Sequence, residues 1–237
     1  MLQVAMIFAA GRGERMRPLT DFKPKPLLEV AGSPLIVHQI RAIKAAGIEH
    51  IVINHAWLGV QIEEALGDGS AFGVHLHYSA EQTALETAGG IVKALPLLQT
   101  HSDSPIFLAV SGDIYSNYNY ANLHAKAAEL ARETQPRMHL VMVENPDFHP
   151  MGDFVLDKGL LHPLDHVGGK KLTFGNIGLY DMRQFMGLPL GEKIAMSPYY
   201  RHAIENRLAS GEFFGHTWEN VGTPEQLLLL NQRLSKF

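Results

Sequence analysis

Short apolar runs alternate with segments of helical periodicity through the first half of the chain. The runs at residues 4–10, 51–54, 74–78 and 106–110 are rich in β-branched and other apolar side chains and predict buried strands. Residues 35–46 and 58–66 repeat apolar positions every three or four residues, and each segment is followed by a glycine, which predicts helices. Strands that alternate with helices form mostly parallel sheets, whose ligands bind beyond the carboxyl ends of the strands. We therefore expect functional residues directly after the strands.

The pattern changes after the apolar run at 138–143. Short strand-like pieces at 153–156, 159–161 and 172–180 are separated by Gly, Pro and His, which predicts antiparallel hairpins. Prolines open two further helical segments, at 198–208 and 224–234. The sequence thus predicts an α/β fold with a Rossmann-like mixed, mostly parallel sheet, flanking helices and a small β-rich insertion. No internal repeat or long linker divides it, so we expect one domain over residues 1–237.

Composition narrows the classes of protein. With 237 residues, 46% of them hydrophobic, the chain can build a sizeable core, and its net charge of −4 offers no general attraction to nucleic acid. The absence of cysteine excludes disulfides, zinc ribbons, iron–sulfur clusters and thiol nucleophiles. We expect neither a signal peptide nor a membrane span, and we expect a cytoplasmic location.

Positive charge is concentrated in the loop after the first predicted strand. Residues 11–25 contain five cations, namely Arg12, Arg15, Arg17, Lys23 and Lys25. Only Glu14 and Asp21 oppose them, which leaves an excess of three positive charges in a chain that is negative overall. Glycines at 11 and 13 allow backbone N–H groups to approach phosphate oxygens. The loop is therefore typical of a polyphosphate site.

Several better-known motifs do not fit. Met16 occupies the position of the third glycine of a dinucleotide fingerprint, and no Gly-Lys-Ser/Thr is present for a Walker A loop. Neither Gly-x-Ser-x-Gly nor His-Glu-x-x-His occurs. Thirteen histidines include His75 and His77, which would share one face of a strand, and we expect these two to be surface residues of the strand rather than metal ligands.

The segment 9–27, AAGRGERMRPLTDFKPKPL, resembles the signature of the sugar-phosphate nucleotidyltransferases, which is glycine-x-glycine-x-arginine followed by proline-lysine-proline. Further segments fit the same family in order and span nearly the whole chain: VINHAWLG at 52–59, LETAGG at 85–90, SGD at 111–113, GDF at 152–154 and VGTP at 221–224. The resemblance implies a fold of the nucleotide-diphospho-sugar transferase type. It also implies a nucleotide-binding half at 1–115 and a sugar-phosphate-binding half at 116–237.

The resemblance assigns roles to individual residues. It implies that Arg15 clamps the β- and γ-phosphates and that Lys25 stabilises charge at the α-phosphorus. The implied nucleotide contacts are Ala10, Gly11, Gly13, Gln82 and Gly89. The implied sugar contacts are Glu86, Asp153, Asn176 and Arg201. For three of these residues a structural reading stays open: Gln82 as a solvated loop residue, Glu86 as a helix-start acid and Arg201 as a surface cation.

Magnesium is the cofactor that the resemblance implies, with Asp113 and Asn220 as its ligands. Most relatives carry aspartate where this chain has Asn220, so either the neighbouring Glu219 compensates or the metal is bound more weakly. At the start of the LETAGG segment we expect Thr87 to cap a helix. Trp57 is open to two interpretations, a stacking platform or a core or rim aromatic.

The activity implied by the resemblance is transfer of a nucleotidyl group from a nucleoside triphosphate, with UTP favoured, to a sugar 1-phosphate, with N-acetylmuramate α-1-phosphate favoured. The sugar phosphate is already anionic, so no general base is needed. Mannose- or glucose-1-phosphate nucleotidyl transfer is the first alternative. A catalytically impaired sugar-nucleotide sensor is the second, because of Asn220. We expect no nucleic-acid or membrane partner, and the sequence does not determine the oligomeric state.

Overall fold

Thirteen strands and six helices are formed by residues 2–235, which are the residues that this computed structural model describes. The strands are β1 (Val4–Ala9), β2 (Glu29–Val30), β3 (Ser33–Pro34), β4 (His50–His55), β5 (His75–Ala80), β6 (Ile106–Ser111), β7 (Ile114–Ser116), β8 (Met138–Val143), β9 (Phe154–Asp157), β10 (Leu160–His162), β11 (Lys170–Asp181), β12 (Ala209–Phe214) and β13 (Trp218–Asn220). The helices are α1 (Leu35–Ala45), α2 (Gly59–Leu66), α3 (Glu86–Thr100), α4 (Leu123–Leu130), α5 (Ser197–Glu205) and α6 (Pro224–Leu234). No helix within these residues is long and apolar enough to cross a membrane.

Nine strands form one mixed sheet in the order β5-β4-β1-β6-β11-β8-β12-β10-β9. The first four strands in this order pair in parallel, as the alternation of strands and helices predicts. Beyond β6 the pairing is antiparallel except between β8 and β12. The expected Rossmann-like sheet with flanking helices is confirmed, but its parallel character belongs to the first half of the sheet.

The β-rich second half closes on itself. The twelve-residue strand β11 pairs with β6 and β8 through its later residues, and its first three residues pair with β9. The strands β11, β8, β12, β10 and β9 therefore form a closed ring of pairings. The predicted hairpins at 153–161 and the strand at 172–180 are confirmed as parts of this ring.

The core lies on both faces of the sheet because successive strand residues point to opposite sides. On one face Ala5 and Ile7 of β1 pack with helices α1, α2 and α4, and on the other Val4 and Met6 pack with α3 and α5. Each face of β1 is apolar and buried, as expected for a strand covered by helices on both sides. The sheet is thus enclosed between two helical layers, and its strand ends remain as the place for a ligand.

Candidate active site

A cleft lies beyond the carboxyl ends of β1, β4 and β6, where the parallel topology predicts a ligand. It consists of three adjoining cavities of about 270, 720 and 210 Å³. Thr87, in the first turn of α3, lines all three, and Phe8 and Ser111 line both the first and the third. Phe174 and Asn176 connect the third cavity with the second. Loops of the parallel half therefore form one wall, and β11, α5 and β13 form the other.

The glycine-rich loop lines the first cavity with Ala10, Gly11 and Gly13. Gly13 has a φ of +69°, and a β-carbon there would lie only 3.1 Å from Lys25 Cβ. The Gly13 carbonyl accepts a hydrogen bond from Thr20 Oγ1 at 2.8 Å. Glycine is thus required at 13 because the loop folds back closely on itself, whereas Gly11 has open space where a β-carbon would be.

Three of the five loop cations do not contribute free charge to the cleft. Arg17 pairs with Asp21 at 2.8 Å, and Lys23 pairs with Glu29 at 3.3 Å. The Arg12 guanidinium also lies near Asp21 and stacks over the Trp57 ring at 3.9 Å.

Trp57 supports this loop instead of presenting a free aromatic face. Its Nε1 donates to the Thr20 carbonyl at 2.9 Å while its ring contacts Arg12. The cationic loop is thus held in place by its own partners. Arg15 and Lys25 are its two cations that line the cleft.

Lys25 and Asp113 meet in the first cavity. Their Nζ and Oδ2 atoms are 2.5 Å apart, and the Lys25 side chain is only 10% exposed whereas that of Asp113 is 30% exposed. Gly112 holds the turn that carries Asp113 against the end of β1: its N–H donates to the Phe8 carbonyl at 2.9 Å, and a β-carbon there would lie 3.0 Å from that oxygen. Lys25 therefore lies with its anionic neighbour at the ends of β1 and β6.

Arg15 and Asn220 line the largest cavity together. No carboxylate oxygen of residues 2–235 lies within 4.0 Å of the Arg15 guanidinium, in contrast to the other four loop cations. Gly222 makes room for it, since a β-carbon there would lie 3.3 Å from Arg15 Nη2. The VGTP segment therefore combines this close approach with a helix start, where Thr223 Oγ1 accepts from Gln226 N at 3.2 Å.

Asp113 and Asn220 provide oxygen atoms that fit a magnesium ion. Asn220 pairs with Ile114 across β13 and β7, which places it beside Asp113. Its Oδ1 is buried and has no hydrogen-bond partner among residues 2–235, an arrangement that a cation would relieve. A carboxylate and an amide oxygen are the hard donors that Mg²⁺ prefers. The neighbouring Glu219 lies on the other face of β13 and pairs with Arg233 at 2.6 Å, so Asn220 is the β13 residue that faces the cleft beside Asp113.

Glu81 organises the cleft, and sequence reasoning missed this role. It is buried, its Oε1 accepts from Asn54 Nδ2 at 2.7 Å, and its Oε2 accepts from Leu85 N at 2.8 Å. Asn54 Oδ1 in turn accepts from Ala9 N at 3.2 Å. One carboxylate thus ties the ends of β1 and β4 to the start of α3. The sequence shows only that an acidic residue follows β5, and it does not show that this residue is buried.

Two of the predicted sugar contacts have unusual backbones. Glu86 has a φ of +60° and Asn176 a φ of +56°, and both line the cleft. Asn176 lies where the register of β11 against β8 shifts, and Trp218 Nε1 donates to the adjacent Gly175 carbonyl at 2.8 Å. Left-handed backbones in residues other than glycine are costly and cluster at functional sites. Both residues therefore remain candidates for ligand contact.

The end of the cleft that contains the predicted sugar contacts is lined by Asp153, Asn176 and Tyr200. Asp153 is partly engaged, since its Oδ2 accepts from Phe174 N at 2.8 Å and its Oδ1 lies 3.1 Å from His149 Nε2. Burial raises the pKa of Tyr200, so this side chain is a neutral phenol, and its oxygen lies 2.8 Å from that of Tyr180. This end of the cleft offers neutral hydrogen-bonding groups beside one carboxylate.

Three predicted contacts do not line the cleft. Gly89 is buried within α3: its N–H donates to the Ile194 carbonyl at 3.1 Å, and a β-carbon would lie 2.4 Å from the Glu192 carbonyl oxygen. Gln82 is exposed in the turn before α3. Arg201 is exposed on α5 and lines a neighbouring cavity of about 480 Å³, which meets the cleft at Asp153 and Tyr200.

The start of α3 also differs from expectation. Among residues 2–235, no side chain caps the first turn of α3. The backbone carbonyl of Ile194 instead accepts hydrogen bonds from Ala88 N at 3.0 Å and from Gly89 N at 3.1 Å. Thr87 is therefore not the cap that its position suggested. Its place at the meeting point of the three cavities makes it a wall residue of the cleft.

A strand-end cleft is suited to nucleotide phosphates when it combines a glycine loop, a buried lysine beside an aspartate and an arginine without a carboxylate partner among residues 2–235. The chain belongs to the nucleotidyl transferase family, whose model, described as "Nucleotidyl transferase", matches residues 4–149. The nucleotidyltransferase class predicted from the loop and its following motifs is confirmed.

Individual relatives cover most of the chain. The N-acetylmuramate alpha-1-phosphate uridylyltransferase of Neisseria meningitidis serogroup B is 47% identical over 221 residues, which cover 92% of this chain and 93% of the relative. A mannose-1-phosphate guanylyltransferase of Mycobacterium tuberculosis is 28% identical over 94% of this chain but only 62% of the relative. A Bacillus anthracis protein, provisionally assigned as a glucose-1-phosphate thymidylyltransferase and solved with sucrose, superposes with a TM-score of 0.83 at 17% identity, covering 100% of this chain and 96% of that protein. This last likeness shows the fold alone.

Proposed function

We propose that this chain transfers UMP from UTP to N-acetylmuramate α-1-phosphate, giving UDP-N-acetylmuramate and pyrophosphate. The observation that carries the nucleotidyl transfer is the juxtaposition of Lys25, Asp113 and the glycine loop at the strand ends. The choice of uridylyl and muramate groups is supported by the 47% identity to the Neisseria relative over nearly the full length of both chains. A role in recycling cell-wall sugars, in the cytoplasm, follows from that choice of substrates.

The reaction needs charge neutralisation more than proton transfer. An oxygen of the sugar phosphate attacks the α-phosphorus of UTP, the new P–O bond forms, and the bond from the α-phosphorus to the bridging oxygen breaks as pyrophosphate leaves. The attacking oxygen is already anionic, so no base is required. Lys25 is fixed where it can stabilise charge at the α-phosphorus, and Arg15 is free to hold the outer phosphates. The backbone around Gly11 and Gly13 would approach the triphosphate.

Magnesium would be held by Asp113 and Asn220 together with the phosphates of the substrate. When bound, Mg²⁺ neutralises phosphate charge and orients the reacting groups. The Asp113 carboxylate already pairs with Lys25, so it would interact with both the lysine and the magnesium ion. The nucleotide would occupy the first cavity, and the sugar would lie between Glu86, Asp153 and Asn176 in the larger one.

Two other functions have observations in their favour. The likeness to the mannose-1-phosphate guanylyltransferase covers 94% of this chain and supports another base and sugar. The amide at Asn220, where a second carboxylate would bind metal more firmly, supports a sensor that binds sugar nucleotides without turnover.

Pyrophosphate release separates these functions. Each of UTP, GTP, dTTP and ATP is mixed with each of N-acetylmuramate, mannose and glucose 1-phosphate in the presence of Mg²⁺. We expect UTP with N-acetylmuramate α-1-phosphate to give the highest kcat/KM. A higher value for GTP with mannose 1-phosphate would replace our proposal with the first alternative. Binding of UTP or product without turnover of any pair would establish the sensor.

A further inference from the structure

A cluster of imidazoles lies at the end of the sheet opposite the cleft. His50 is the first residue of β4, and His75 and His77 lie two residues apart on the neighbouring β5, so all three side chains share one face. His101 directly follows α3, which packs on that face. The fold therefore places His50 and His101, from distant positions in the sequence, beside His75 and His77.

The ring nitrogens of three of these residues converge. One ligand nitrogen from each of His50, His77 and His101 lies within 4.8 Å of the others, and His50 Nδ1 is 3.2 Å from His77 Nε2. A tetrahedral ion with metal–nitrogen bonds of about 2.0–2.1 Å holds its nitrogens about 3.4 Å apart. The His50–His77 separation already matches this value, and the longest separation has to close by about 1.4 Å at most. The His75 ring stacks on His50 at 5.1 Å, next to this group.

We propose that His50, His77 and His101 bind a divalent transition-metal ion of the zinc class, with His75 or water completing its coordination. Imidazole nitrogens select such ions over Mg²⁺, which prefers oxygen. The three residues come from β4, β5 and the end of α3, so a bound ion would join the outer strand of the sheet to its neighbour and to a helix. The site is separate from the cleft: Asn54 of the first cavity lies four residues along β4 from His50, about 13 Å away.

The pKa values of His77 and His50 are compatible with the metal site that the geometry indicates. Burial and the neighbouring imidazoles of His101, His50 and His75 lower the pKa of His77 to about 4, and burial also lowers the pKa of His50. Neutral imidazoles at physiological pH bind metal without first losing a proton. The nearby Glu49, which pairs with Lys44 at 2.7 Å, raises the pKa of His50, but burial and the imidazoles of His101 and His75 outweigh it.

Zinc binding to the tag-free full-length chain tests the proposal. We expect calorimetry at neutral pH to show a site with a Kd in the micromolar range or tighter, Co²⁺ to give visible ligand-field absorption that Zn²⁺ displaces, and saturating Zn²⁺ to raise the Tm by several degrees. His101→Ala and His77→Ala should each weaken that site at least about tenfold. Mg²⁺ at the same concentration should produce neither absorption change nor competition.

A matched control comes from a second histidine group. His166 lies beside His162 and Asp157 at another part of the sheet, so His166→Ala removes a comparable imidazole and should leave the affinity of the proposed site unchanged. His101 follows the last turn of α3, so its replacement changes no strand residue. Circular dichroism verifies that the variant is folded. A wild-type Kd weaker than about 100 μM, equal affinity in wild type and His101→Ala, or loss of binding only in His166→Ala would overturn the proposal.

Discussion

Replacement of Lys25 by methionine separates a catalytic from a structural role of this buried cation. Methionine keeps the apolar length of the side chain and removes its charge next to Asp113. Loss of one preorganised charge donor from a transition state typically costs about 2.7–4 kcal/mol, which corresponds to about 10²–10³ in kcat. The cost in stability should be much smaller, about 1 kcal/mol or less, since Asp113 is 30% exposed and can be solvated when its partner is removed. The expected fall in Tm is therefore about 2–4 °C or less.

The assay is steady-state pyrophosphate release with both substrates saturating, alongside thermal unfolding. Lys23→Met is the matched control, because Lys23 lies two residues away in the same loop and pairs with Glu29 on the exposed surface. It should change kcat by less than about twofold. The Mg²⁺ concentration for half-maximal rate should not rise in Lys25→Met, since the change removes a competitor for Asp113. A kcat within about threefold of wild type, less than 1 kcal/mol of barrier, would refute the charge-stabilising role of Lys25.

Two further changes test the cleft, and a third tests the pairing of Glu212 with His139 in the β-rich half. Asn220→Asp should lower the half-saturating Mg²⁺ concentration by about tenfold, because it adds charge to a buried hard oxygen, and an unchanged value would remove residue 220 from the metal site. Glu81→Gln should lower the free energy of unfolding in urea by about 1.5–3 kcal/mol, whereas the exposed Glu64→Gln should stay within about 0.5 kcal/mol of wild type, and equal effects would contradict the tethering role. A hydrogen bond from His139 lowers the pKa of Glu212 below its usual 4.5, so its contribution to stability is present above that pH and is lost as the pH falls through the lower folded pKa. The Tm of Glu212→Gln should therefore decline less than that of wild type on acidification below pH 4.5, and parallel declines would disprove this linkage.

The parallel half of the fold and the place of its glycine-rich loop at the cleft could be predicted because their signals are local. The apolar runs and the glycines at 11 and 13 carry their information within a few residues, and the strand ends then follow from topology. The role of Gly89 could not be predicted, because the carbonyls that crowd it belong to residues 192 and 194. The strand β12 was missed, since its sequence ASGEFF contains few residues of high β propensity and pairs only through its long-range partners.

Side chains whose meaning depends on distant partners were the hardest to interpret. Arg201 carries the right charge for a phosphate, but its position on the exposed side of α5 turns it toward a neighbouring cavity. Conversely, Glu81 has no motif around it, and only its burial beside Asn54 shows that it ties three segments together. Motifs thus indicated the cleft, whereas tertiary contacts determine which of the neighbouring residues line it.

The closed ring of β11, β8, β12, β10 and β9 limits how copies of this molecule can associate through their backbones. A strand edge with unpaired N–H and C=O groups is a template for intermolecular pairing. Because β9 pairs back onto β11, β5 is the one strand of this sheet, within residues 2–235, that has a neighbouring strand on one side only. Pairing of β5 with β5 of a second copy would occupy this free edge in both molecules. Such growth through β5 ends with two chains.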